Sequence, residues 1–198
     1  MAAPDPAKLS VHLLTYAEVG AAARATAIPV VGDTVVRSSE LGVGEDLPPG
    51  YRHVRRNAVV GRGAEAFAAA GEALLSWEMH RRAGLRVAAT APRAEAGVDV
   101  VCWLGAGPFR VTIPCRVVAA LASERSAGFA YGTLPGHPAR GEEAFLVQWR
   151  DDDLVAFTVV AFSRPARLYT RLGGPVTHAI QRAFTRRYFR ALRSTTGS

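Results

Sequence analysis

The stretch Gly128–Phe145, GFAYGTLPGHPARGEEAF, holds four glycines, two prolines, a histidine and two adjacent glutamates between aromatic residues. Its first part alternates, setting Phe129, Tyr131 and Thr133 on one face of a strand. PGHPARG then turns, with Gly136 and Gly141 flanking Pro138. EEAFLVQW returns as the next strand, so the stretch reads as a β-hairpin. If Phe145 and Val147 face the core, parity turns Glu143 inward and Glu142 outward. A buried carboxylate needs a partner, and Arg164 at the end of the following strand is the candidate. On this reading Glu142 is an ordinary surface residue and the hairpin closes one end of a cavity.

The period of two extends on both sides of the hairpin. Strands are expected at Leu85–Thr90, Val98–Leu104, Arg116–Ser123, Gly128–Leu134, Glu142–Arg150 and Leu154–Phe162, with a further one in Tyr51–Gly61. Between the first strand and this meander, AEAFAAAGEALLSWEMHRRAG repeats apolar residues at helical spacing and stops at Gly84. After the meander, Gly173-Gly174-Pro175 opens a second helix, with Val176, Ala179, Ile180, Ala183, Phe184, Tyr188 and Ala191 on one face and arginines on the other. Residues 1–50 read as an extension with a short helix in LLTYAEVGAAARA followed by loop, residues 51–193 as one domain, and 194–198 as a disordered tail.

An antiparallel sheet must cover its apolar face, and the long terminal helix is the available cover. The class is therefore α+β: a curved antiparallel sheet of about seven strands wrapped on a C-terminal helix. This order resembles the helix-grip fold of START and Bet v 1-like proteins, which leaves a cavity between sheet and helix. YRHVRRNAVVGRGAEAF, SWEMHRRAG, GFAYGTLPGHPARGEEAF, AFSRP and QRAFTRRY together resemble a bacterial and plant domain-of-unknown-function family, number nineteen-ninety, over roughly residues 13–22 and 51–193. The resemblance implies a shared fold and site and brings no established activity. After His-Pro, where that family commonly carries an acidic residue, this chain has Ala139.

Composition narrows the possible functions. With 198 residues, 49% of them hydrophobic, the chain can bury a sizeable core. The longest apolar run, Leu154–Phe162, is too short for a membrane-spanning helix, and the first ten residues lack the apolar stretch of a signal peptide, so a cytoplasmic location is expected. Cys102 and Cys115 lie in apolar stretches without zinc-like spacing and read as reduced core residues; no metal is expected. The net charge of +7 is uneven: no acidic residue follows Asp153, whereas eight arginines do. These permit an anionic partner, but no nucleic-acid-binding motif accompanies them, which disfavours nucleic acid.

The leading expectation is a protein that binds a hydrophobic or aromatic small molecule or lipid between sheet and C-terminal helix. Trp77, Tyr131, Phe145, Phe157 and Tyr188 would line or gate the cavity, and His137, Glu143 and Arg164 would form its polar end. The alternative is a cyclase- or hydrolase-type enzyme on the same scaffold, with His137 and Glu143 as acid and base. A third class is an adaptor that docks through its basic helix. Gly61-Arg62-Gly63-Ala64-Glu65-Ala66 matches G-x-G-x-x-A, but a dinucleotide site needs a parallel βαβ unit, so no cofactor is expected. His80 lacks a companion motif for a metal, and Ser163 and Cys102 lack the setting of a nucleophile. The oligomeric state is left open.

Overall fold

The computed structural model describes residues 5, 13–30, 47–107, 110–166 and 174–197, and the side chains of 174–182 are outside that description. The loop expected before residue 47 and the helix-face positions Val176, Ala179 and Ile180 therefore lie outside the described residues.

Seven strands form one sheet: β1 (Arg52–Arg62), β2 (Arg86–Ala89), β3 (Asp99–Leu104), β4 (Val111–Ala122), β5 (Ser126–Thr133), β6 (Ala139–Trp149) and β7 (Leu154–Pro165). Their order is β1-β7-β6-β5-β4-β3-β2, and every pairing is antiparallel. Register shifts at Val59/Gly61 in β1 and Val117/Ala119 in β4 mark bulges, the usual means of bending a sheet. The expected strands are all present. β4 begins five residues before Arg116 and includes Pro114, whose carbonyl accepts a bond from the Leu134 N–H, the only backbone role a proline can still fill.

The helices are α1 (Ala21–Arg24), α2 (Gly63–Leu75), α3 (Glu78–Arg82) and the long α4 (Gly174–Arg193). The single helix expected over Ala64–Gly84 is broken. Trp77 adopts a left-handed φ of 67° between α2 and α3, which drives its ring into the core, where it is fully buried. Its indole N–H reaches the Ala91 carbonyl at 3.4 Å. The residues after α4 do not form the expected loose tail. Ser194–Gly197 continue as turns, and the Thr196 hydroxyl donates to the Val60 carbonyl.

The concave face of the sheet carries the larger core. Phe129, Phe145, Val147, Phe157 and Val159 project into it and meet Leu74 of α2, Met79 of α3 and Tyr188 and Leu192 of α4. The convex face is covered as well, by residues 13–30. Tyr16, Ala22, Ala23 and Ile28 pack there on Ala119, Ala130, Ala144, Leu146, Val160 and Phe162. All five alanines are fully buried and let the α1 backbone approach the sheet closely. Gly132 makes room in the same way, since a Cβ there would collide with the Tyr16 hydroxyl.

Glu142 fastens this cover. Its side chain is on the convex face, opposite Phe162 in register, and the residue is 3% exposed. One carboxylate oxygen accepts from the Tyr16 hydroxyl and the Gly20 N–H, both at 2.7 Å. The other accepts from the Ala22 and Ala23 N–H groups at 2.9 and 3.1 Å. Burial pushes this carboxyl up, and the four donors pull it back down. Burial outweighs these donors, and the carboxyl stays above its ordinary value.

The expected Glu143–Arg164 pair is not formed. Arg164 opposes Arg140 in register, whereas Glu143 opposes Ala161, so the two are on opposite faces. Arg164 is exposed and stacks over the Tyr51 ring at 4.7 Å. A bidentate pair is formed instead by half-buried Arg116 with buried Asp99, at 2.6 and 2.9 Å across β3 and β4.

These positions reverse the expected ranking of two substitutions. Glu142→Gln turns an amide toward four donors and should cost about 2 kcal/mol or more, the worth of bonds to a charged group. Arg164→Met loses an exposed cation–π contact and should cost under about 1 kcal/mol. Urea denaturation of the two variants checks the ranking, and equal small effects would refute the anchoring role of Glu142.

Candidate functional site

Where the β5–β6 hairpin approaches α4, the concave core is incompletely filled, leaving a cavity of about 190 Å³. The hairpin turn supplies one wall through His137, Pro138 and Ala139, and α4 supplies another through Phe184 and Tyr188. Leu85, Cys102, Ile113 and Ala161 make most of the remaining surface apolar. Besides Thr133, Glu142 and Ser163, four polar residues line it: Tyr131, His137, Glu143 and Tyr188.

Of the sequence-predicted residues, the structure brings these four together. Phe145 and Phe157 are fully buried behind the cavity, stacked at 6.4 Å, and Trp77 is buried against Phe129 at 5.2 Å; none of the three lines it. Arg164 is on the other face of the sheet, so the polar end has no arginine from β7.

Glu143 is the polar residue of greatest chemical interest. Its hydrogen-bond donor is the Tyr131 hydroxyl at 3.1 Å. Burial pushes its pKa up to about 7, and the Tyr131 bond offsets this only in part. The Tyr131 and Tyr188 hydroxyls are raised well above their ordinary range, first by burial and then by neighbouring negative charge. A carboxyl that titrates near neutrality beside two tyrosine hydroxyls can donate or accept a proton inside an apolar enclosure.

His137 is held for shape. Its Nδ1 meets the Ala139 N–H at 2.8 Å and the Ala139 carbonyl at 2.9 Å, which ties the ring into the turn. Burial pushes its pKa down to about 4, so it is neutral at physiological pH.

Sequence reasoning weighed His80 only as a metal ligand and missed its setting. It is fully buried, neither ring nitrogen has a hydrogen-bond partner among the described residues, and burial pushes its pKa down to about 3. Five rings surround it, those of Tyr188 and Phe145 nearest at 5.2 and 5.4 Å. The helical spacing of Trp77 and His80 on an apolar face was the available signal. No group of three or more potential metal-ligating side chains occurs among the described residues.

The G-x-G turn serves packing. Gly63 has φ 82° and donates its N–H to the Asp153 carbonyl, while Gly61 abuts Ala66 and Thr196. β1 leads through this turn into α2 but pairs antiparallel with β7, so the dinucleotide topology is not built.

A curved seven-stranded antiparallel sheet gripping a C-terminal helix, with a cavity between them, defines a Bet v 1-like helix-grip protein. The chain belongs to the family described as domain of unknown function DUF1990, whose profile matches residues 15–191. A UPF0548 protein of Deinococcus radiodurans is 46% identical over 65 residues, 33% of each chain. A UPF0548 protein of Arabidopsis thaliana is 28% identical over 134 residues, 65% of each. These alignments thus span about a third and about two thirds of the relatives' own lengths.

Among solved structures, a hypothetical protein of Helicobacter pylori superposes with a TM-score of 0.57 at 12% identity, covering 75% of this chain and 90% of that one. A Thalictrum norcoclaurine synthase point mutant, solved with a transition-state analogue, gives 0.50 at 8% identity over 72% and 94%. At these identities the likeness is one of fold. No helix among the described residues is long and apolar enough to cross a membrane.

The raised pKa of Glu143 has a definite sign. Below about pH 4.5 the carboxyl is protonated whether the chain is folded or not. Between there and about 7 only the folded state keeps the proton, so Glu143 lowers stability as pH rises, and above 7 the cost is complete. Glu143→Gln should therefore gain on the wild type by about 3 kcal/mol between pH 4.5 and 8. Urea denaturation at several pH values measures this, and a pH-independent difference would contradict it.

His80 has the opposite sign: its neutral form is favoured on folding, so that stability is present above pH 6.5 and lost as pH falls toward about 3. His80→Phe should flatten the acid limb while changing neutral-pH stability by under about 1.5 kcal/mol, as a near-isosteric core replacement does. An unchanged acid limb would contradict this.

Proposed function

We propose that the protein binds a compact, largely apolar small molecule in the cavity between sheet and α4, with one polar group of the ligand presented to Glu143. The observation that carries this reading is the pairing of an apolar enclosure with a single near-neutral carboxyl served by one donor. A buried polar group with spare hydrogen-bonding capacity fixes the orientation of a ligand and rejects analogues that leave it unpaired.

The volume limits the ligand. At about 190 Å³ the cavity is smaller than the roughly 300–1,000 Å³ typical of drug-sized pockets. A single substituted ring or a short branched chain suits it better than a long-chain lipid. Two buried, unbridged cysteines, Cys102 and Cys115, fit a reducing compartment such as the cytoplasm.

A catalytic reading draws on the same residue. A carboxyl with pKa near the working pH is the form general acid–base catalysis favours. In that reading Glu143 transfers the proton and Tyr131 orients it, while His137, its Nδ1 already engaged, shapes the wall.

Native mass spectrometry of freshly purified protein separates the two readings. A copurified compound, or saturable thermal stabilisation by compact phenols, amines or cyclic ketones, supports binding. A clean apo mass with turnover in a substrate screen supports catalysis. Tyr188→Trp, which adds volume at the cavity wall, should abolish the stabilisation while leaving the fold intact. Retained binding in that variant would remove the ligand from this cavity.

A further inference from the structure

A second and larger concavity, of about 820 Å³, lies between the free edge of β1 and α4. Its strand wall is Arg52 to Ala58 without a gap. Alternate residues of a strand point to opposite faces, so seven successive residues can line one groove only if the backbone edge faces it. Among the described residues β1 is the terminal strand of the sheet and pairs with β7 alone, leaving the hydrogen-bonding groups of its other edge without a ladder. The helix wall is Thr185, Arg186, Phe189, Arg190 and Arg193, one face of α4. The Arg193 guanidinium donates to the Val59 carbonyl and closes one end.

The groove is strongly cationic. Arg52, Arg55, Arg56, Arg186, Arg190 and Arg193 line it, with no carboxylate among the described lining residues. Arg52 and Arg56 lie on the α4 side of the strand, since they oppose Ser163 and Val159; Arg55 lies on the other side and reaches the Ala25 carbonyl at 3.4 Å. Charges on the strand alone would suffice to guard an edge against self-association. Here the facing helix adds further cations, and an anionic occupant would relieve the repulsion across the groove.

We propose that this groove binds an acidic, extended segment of a partner protein, added as an eighth strand along β1. The backbone edge supplies the ladder bonds, and the arginines on both sides of it take alternating Asp or Glu side chains. Arg52–Ala58 spans about 20 Å at strand rise, room for a segment of about seven residues. This surface is separate from the small-molecule cavity, which lies toward the hairpin end of α4.

The test uses the full chain and a fluorescein-labelled peptide of alternating Glu and Val, about nine residues long to overhang both ends. Saturable binding is expected in fluorescence anisotropy, weakening as salt rises from about 0.05 to about 0.3 M. The matching Lys/Val peptide should not bind. Arg56 and Arg190 are exposed, so the Arg56→Glu/Arg190→Glu variant should fold normally and bind at least about tenfold more weakly. Arg86→Glu, an exposed change on the opposite edge strand, should bind as wild type.

Peptide N-methylated on the ladder-forming nitrogens should fail to bind, and in hydrogen exchange the amides of residues 52–58 should gain protection with the unmodified peptide. Equal affinity for the N-methylated peptide would overturn strand addition. Tight binding of single-stranded oligothymidylate with none of the acidic peptide would overturn the choice of partner. No saturable binding at low salt would overturn the site.

Discussion

Two adjacent glutamates on β6 cannot share a face, and in this protein both faces are buried. That constraint organises the molecule. Glu142 is turned to the convex side, where a carboxylate survives only because Tyr16 and three backbone amides of the 16–23 segment converge on it. Glu143 is turned to the concave side, into an enclosure that only α4 and the hairpin turn complete. A one-residue slip of β6 would exchange the two environments and leave each carboxylate wrong for its surroundings, so the pair also fixes strand register.

The contrast between the two carboxyls separates architecture from chemistry. Both lose hydration, and burial raises both. Glu142 recovers part of the loss through four donors to its oxygens. Glu143 has one donor in Tyr131 and sits against apolar wall. A group so sparsely compensated weakens the fold at neutral pH, and such a cost is characteristic of positions kept for binding or proton transfer. Identical side chains at neighbouring positions thus do unlike work because the elements covering each face offer unlike numbers of donors.

Much of this was legible in the sequence. The hairpin turn, the antiparallel meander, the long terminal helix and the inward parity of Glu143 all follow from local period and turn chemistry, which act within a few residues. What escaped depends on long-range packing. Glu142 was read as exposed because residues 13–30 were treated as an extension with no place on the sheet. The available signal was the composition of β5 to β7: Ala130, Ala144 and Val160 are apolar at positions that a one-sided sheet would leave polar, which implies a cover on the second face. Arg164 shares the parity of Phe162 and not that of Ala161, so the β6–β7 register already separated it from Glu143. Trp77 kept its helical spacing in sequence, yet tertiary burial of its ring outweighed the helix and broke it.

The size of the cavity follows from how the concave face is filled. Trp77, Phe129, Phe145, Phe157 and the unpartnered His80 occupy the middle of the grip with rings a few ångströms apart. Aromatic packing of that density fills the middle of the grip, and a cavity is left at the hairpin end, where Ala139, Gly141 and Ala161 are small. A helix-grip scaffold tolerates many cavity sizes because volume is set by a few inward positions while sheet topology stays constant, which is why shared fold does not transmit ligand identity. In this chain the inward positions near Glu143 are mixed, small on the sheet and large on α4. Tyr188 and Phe184 of the helix are then the wall through which a change of one side chain alters the space beside the carboxyl most directly.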